Sequence, residues 1–85
     1  MKVKVLYFAR LREAVGRDRE EIELPSGVAT VAALRDWLVA RGDPWASAFC
    51  EVRRIRAAVD QQMATDEAAL TDGAEVAFFP PVTGG

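Results

Sequence analysis

Histidine is absent from this 85-residue chain. The usual general base near neutral pH and the commonest metal ligand are therefore missing, which argues against a self-contained hydrolase or a zinc centre. Cysteine occurs once, at Cys50, so no internal disulfide can form. With no export signal evident either, a reducing, cytoplasmic setting is expected. No apolar run approaches the roughly 20 residues that a membrane span needs. The opening Lys2-Val3-Lys4-Val5 reads as an amphipathic strand and not as a secretion signal. Gly16, Gly27 and Gly42 stand singly at turn or cap positions, so no phosphate-cradling loop is expected. The net charge of −2 supplies no drive toward nucleic acid or an anionic membrane surface.

What is present fits one small soluble domain: 51% of residues are apolar and 28% charged, enough for a single modest core. Residues 2–9 alternate, with Val3, Val5 and Tyr7 on one face and Lys4, Leu6 and Phe8 on the other. Arg10 to Val15 predicts a short helix stopped at Gly16, and Arg19 to Leu24 alternates again before a Pro25-Ser26-Gly27 turn. Thr30 is a candidate cap for the one long helix, which runs to about Arg41 with Gly42 as its stop. Its inward stripe is Val31, Leu34, Trp37 and Leu38, with Arg35 and Asp36 toward water. Trp45, Ala46 and Phe49 read as a turn closing the helix end onto the core, and Trp37, Trp45 and Phe49 as core rather than a cofactor box. Ile55 to Val59 predicts a third strand, Asp60-Gln61-Gln62 a tight turn into a short strand near Met63, and Ala74 to Phe79 the last strand. One helix burying its stripe on a mixed sheet, with the first and last strands adjacent at the centre, is an α+β architecture of the β-grasp, ubiquitin-like kind.

The most informative segment is the end, Phe79-Pro80-Pro81-Val82-Thr83-Gly84-Gly85. Two prolines stop a strand and favour an extended path. The expected organisation is a domain over residues 1–79 and an extended tail over 80–85, which reaches at most roughly 20 Å. Such a tail can thread into another protein's active site and present the carboxyl carbon of Gly85. The residue there carries no Cβ to obstruct a nucleophile, and Gly84 lends backbone freedom for a narrow channel. By alternation Phe8 and Phe79 lie opposite the helix-packed face, with Met63 a candidate to join them, and together they form an expected partner surface. Arg53, Arg54 and Arg56 read first as solvated strand surface, the alternative being contact with acidic groups on a partner. Cys50 reads as an incidental thiol, since a reactive one needs a lowered pKa and access.

Three segments, Tyr7-Phe8-Ala9-Arg10-Leu11-Arg12-Glu13, Ala57-Ala58-Val59-Asp60-Gln61 and Asp72 to Gly85, resemble the small, sulfur-carrying subunits of molybdopterin synthases, in order and spacing over essentially the whole chain. Asp60 departs from the asparagine expected in that family's hairpin turn, and either residue tolerates the turn. The resemblance implies a sulfur carrier that is not catalytic on its own. A ubiquitin-activating-like adenylyltransferase would adenylate Gly85 with ATP, the chain itself binding no cofactor. A sulfurtransferase would convert the acyl adenylate to a thiocarboxylate. The tail, from Pro80 and Pro81 through Val82 and Thr83 to Gly84 and Gly85, would then enter the large subunit. Its sulfur would pass to cyclic pyranopterin monophosphate and build the molybdopterin dithiolene of molybdenum cofactor biosynthesis. The alternatives are a thiamine-pathway sulfur carrier of the same fold, and a ubiquitin-like binding module or modifier with no sulfur chemistry.

Overall fold

A computed structural model describes residues 1–81. The chain forms β1 (Lys2–Tyr7), α1 (Ala9–Val15), β2 (Arg19–Glu23), α2 (Val31–Ala40), α3 (Trp45–Glu51), β3 (Arg56–Val59), β4 (Gln62–Ala64) and β5 (Glu75–Phe79). The five strands make one sheet in the order β2-β1-β5-β3-β4. β1 and β5 run parallel side by side at its centre, and every other pairing is antiparallel. This is the expected β-grasp arrangement. Among the described residues no helix is long and apolar enough to cross a membrane.

Local chemistry accounts for most boundaries. Gly16 ends α1 in the left-handed conformation at φ 85°, which costs a residue without Cβ little. The Thr30 hydroxyl accepts a hydrogen bond from the Ala33 amide at 3.2 Å and caps α2. Two further amides of that first turn are satisfied from a distance: Val31 N–H donates to the Ala68 carbonyl and Ala32 N–H to the Asp66 carbonyl. The segment after β4 is thus the second half of the α2 cap.

The helices cover one face of the sheet. Val3, Val5 and Tyr7 of β1 and Val76 and Phe78 of β5 meet Leu11, Val31, Leu34, Leu38 and Ala48 from the helices, all buried. Phe49 stands edge-on to Phe78, with ring centroids 5.3 Å apart. Two expectations need correction. Trp45 to Glu51 is a helix and not a turn, because Ala48 and Phe49 find core contacts that stabilise seven residues otherwise too short to hold. Arg35 does not stand free in water, since its guanidinium folds onto Asp66 and bridges α2 to the capping segment.

Candidate functional site

The sheet face away from the helices carries no layer of its own. Strand register puts Leu6, Ala77, Ala58 and Met63 in one row across β1, β5, β3 and β4. Phe79 lies in the neighbouring row opposite Arg56, and Phe8 follows the end of β1. Phe8 is 47% exposed and Met63 63%, the two aromatic or Met side chains among the most exposed large apolar residues described. Phe79 is half-buried, while Phe78 is fully buried on the helix side. The alternation therefore assigns the two faces as expected. Met63 on β4 is separated from the end of β1 before Phe8 by β5 and β3, roughly 14 Å of sheet, and from the strand of Phe79 by β3. Ala77 and Ala58 floor that interval, so the face is a shallow apolar saddle with large residues at its rims.

At one end of the saddle the chain leaves the sheet. Pro80 and Pro81, with Phe79, form one wall of a groove of about 720 Å³ whose other residues are Ala9, Arg10, Glu51, Val52 and Arg53. The exit follows from the sequence, because proline cannot donate to a strand ladder. Val82, Thr83, Gly84 and Gly85, the remaining expected tail residues, lie outside the described residues. Cys50 is exposed on α3 and does not line this groove.

The structure adds a cluster that the sequence reading missed. Glu20 of β2 accepts from the Tyr7 hydroxyl at 2.8 Å, Trp45 Nε1 at 3.1 Å, Arg41 Nη1 at 3.0 Å and Arg17 Nη1 at 3.3 Å. The Arg41 guanidinium lies 3.8 Å from the centre of the Trp45 ring and 5.3 Å from that of Trp37. Burial pushes the Glu20 carboxyl up, but the hydrogen bonds from Tyr7, Arg41 and Trp45 and the Arg41 charge outweigh it, and the net shift is downward from 4.5. Burial first, then the Glu20 hydrogen bond and charge, hold the Tyr7 phenol protonated well above its ordinary value. With its lone pairs occupied by four donors, Glu20 is a structural hub and not a proton shuttle. A signal was available: Glu20 alternates with Ile22 and Leu24, a carboxylate at an inward strand position.

The ThiS family profile matches residues 5–85. The chain is 49% identical over 83 residues to a protein of Escherichia coli K12 named molybdopterin synthase sulfur carrier subunit, covering 98% of this chain and 99% of that one. It also resembles the solved structure of a putative molybdopterin converting factor, subunit 1, from Pyrococcus furiosus, with a TM-score of 0.79, 37% identity and coverage of 96% and 99%. The structure of small archaeal modifier protein 1 from Haloferax volcanii is similar as well, with a TM-score of 0.78, 26% identity and coverage of 95% and 98%.

Proposed function

Because this chain belongs to the ThiS family, we propose that it is the sulfur carrier subunit of a molybdopterin synthase. The observation that carries the reading is the near-full-length identity to a protein of that name. The geometry is compatible with it. A closed core, a bare apolar sheet face and a proline-stiffened exit at the end of that face are what a carrier needs to dock and insert a tail.

In this reading the Gly85 carboxyl is the working group. A carboxylate is a poor electrophile because its charge repels nucleophiles. Adenylation with ATP by a ubiquitin-activating-like enzyme removes the charge and supplies AMP as leaving group. A sulfurtransferase's persulfide then attacks the acyl carbon from a side that no Cβ blocks and expels AMP. A thiol cleaves the acyl disulfide so formed, leaving as a disulfide with the sulfurtransferase and releasing the thiocarboxylate. The resulting thiocarboxylate is an anionic, polarizable nucleophile. The large subunit docks on Phe8, Met63 and Phe79, receives Pro80 to Gly85, and directs that sulfur to the pterin precursor. Acid–base groups come from the proteins that handle the tail, consistent with a carrier that has no histidine.

The Haloferax likeness favours a second reading, a modifier that forms an isopeptide through Gly85. Intact mass of the protein from its native cells separates the two. A species with one sulfur replacing one oxygen at Gly85 is the expected result, and Gly85 found only in isopeptide linkage to other proteins would favour the modifier. Deleting Gly85, or adding one residue after it, is expected to abolish adenylation and leave the fold intact, since the buried core lies within residues 3–78. Undiminished sulfur transfer by the extended protein would overturn the assignment of Gly85.

A further inference from the structure

We propose that Arg10, Arg53 and Arg56, with Arg54 beside them, form a cationic collar at the tail exit that docks on acidic side chains at the mouth of the large-subunit cavity receiving the tail. The inference rests on the sulfur-carrier reading and adds the chemistry of the partner's rim.

The placement is not evident from sequence distance. Arg10 on α1 and Arg53 after α3 line the same groove as Phe79, Pro80 and Pro81. Arg56 is the direct cross-strand partner of Phe79, and residues directly opposite share a sheet face. All four arginines are exposed. The ion pairs among the described residues engage Arg17, Arg19, Arg35 and Arg41 and none of these four. Even Glu51, in the same groove, pairs with none of them. Arg10 and Arg53 at the groove, Arg54 next in the chain and Arg56 across from Phe79 have no carboxylate partner among the described residues and hold their charge for something outside the domain.

The rest of the molecule points to a protein. At the opposite end of β5, Glu75 begins the strand, Asp60 accepts from its amide at 3.0 Å, and Asp72 accepts from the Lys2 amide at 2.7 Å. Lys4 stands opposite Glu75 and Lys2 beside Asp72, so that end is close to neutral while the collar end, about 13 Å along β5, is positive. An acidic partner surface attracts the collar more than the far end, and this asymmetry turns the tail toward the partner before contact. A polyanion such as nucleic acid meets a chain of net charge −2 and has no use for the apolar wall of Val52, Phe79 and Pro80. Arginine is suited to this border because its guanidinium is weakly hydrated and pairs with carboxylates in a planar fork.

The test is stopped-flow association of the full chain with the purified large subunit of the same organism, at about 0.02 M and about 0.5 M salt, which brackets the Debye lengths over which such a field acts. Arg53→Glu/Arg56→Glu is expected to slow association at least about tenfold at low salt and to converge with the unaltered chain at high salt. Phe79→Ala is expected to speed dissociation and keep the salt dependence. If Phe79→Ala weakens binding while charge reversal leaves the association rate unchanged, the collar is wrong and the sulfur-carrier reading stands. If the unaltered chain does not bind the large subunit at all, both fall. Capture of an oligodeoxynucleotide that charge reversal abolishes, with large-subunit association unaffected, would reassign the collar to nucleic acid and overturn the proposal.

Discussion

Glu20 shows how one residue can close a fold without entering its chemistry. Its carboxylate ties β1, β2, the end of α2 and α3 together through Tyr7, Arg17, Arg41 and Trp45. Glu20→Ala leaves those donors without their acceptor and is expected to cost about 1–3 kcal/mol in urea unfolding, the range for losing hydrogen bonds to a buried charge whose cation is partly solvated. The pH dependence has a definite sign. Because the folded carboxyl titrates below 4.5, its contribution is complete above that value and is lost as pH falls through the lower folded value. Acid unfolding of Glu20→Gln should therefore be flatter than that of the parent below about pH 4.5. Phe78 and Phe79 give the sharpest contrast between neighbours. Phe78→Ala empties a fully buried site and is expected to cost about 3–5 kcal/mol of stability. Phe79→Ala should cost much less stability and weaken binding to the large subunit at least about tenfold, or about 1.4 kcal/mol. If Phe79→Ala unfolded the domain and Phe78→Ala affected only binding, the partner surface would lie on the other face.

At the scale of elements, the boundaries that local chemistry controls were legible and those that packing controls were not. The α2 start at Thr30 and the turn at Asp60-Gln61 carry their own signals, a capping hydroxyl and an aspartate suited to a tight hairpin. Thr30→Ala is expected to lower stability by about 1 kcal/mol in thermal unfolding, because the Ala33 amide loses its side-chain partner. In the turn both residues take positive φ, 49° at Asp60 and 70° at Gln61. Asp60 earns its place by accepting from the Glu75 amide, whereas Gln61 makes no side-chain hydrogen bond among the described residues that would offset its strain; Gln61→Gly is expected to raise stability by up to about 1 kcal/mol, read as a higher thermal midpoint. The helix α3 carries only a short one, Asp43, whose carboxylate accepts from the Ser47 amide and hydroxyl. Seven residues are marginal as an isolated helix, and the contacts of Trp45, Ala48 and Phe49 with the core and with Glu20 hold them. The capping of α2 by Asp66 and Ala68 was equally hidden, since nothing in a polar, irregular stretch says which distant amides its carbonyls will meet.

Across the whole molecule the sheet separates two tasks, with helices and core on one side and a bare saddle ending in the tail exit on the other. That division was readable in advance because strand side chains alternate with period two, so the order of Val3, Val5, Tyr7, Val76 and Phe78 assigns the buried face wherever the strands end up. The central pairing of first and last strands, expected with the β-grasp arrangement, is the one observed. Sequence alone thus determined the elements other than α3, their faces and the stiff exit at Pro80-Pro81, all set by interactions within a few residues. Tertiary structure decided which distant residues meet. It brought Trp45 to Glu20 across 25 positions and the Lys2 amide to Asp72 across 70, and it gathered Arg10 and Arg53 at one groove. Periodicity is a property of neighbours along the chain. A hydrogen bond or charge cluster closed over tens of residues depends on the path of the whole backbone, which no local pattern encodes.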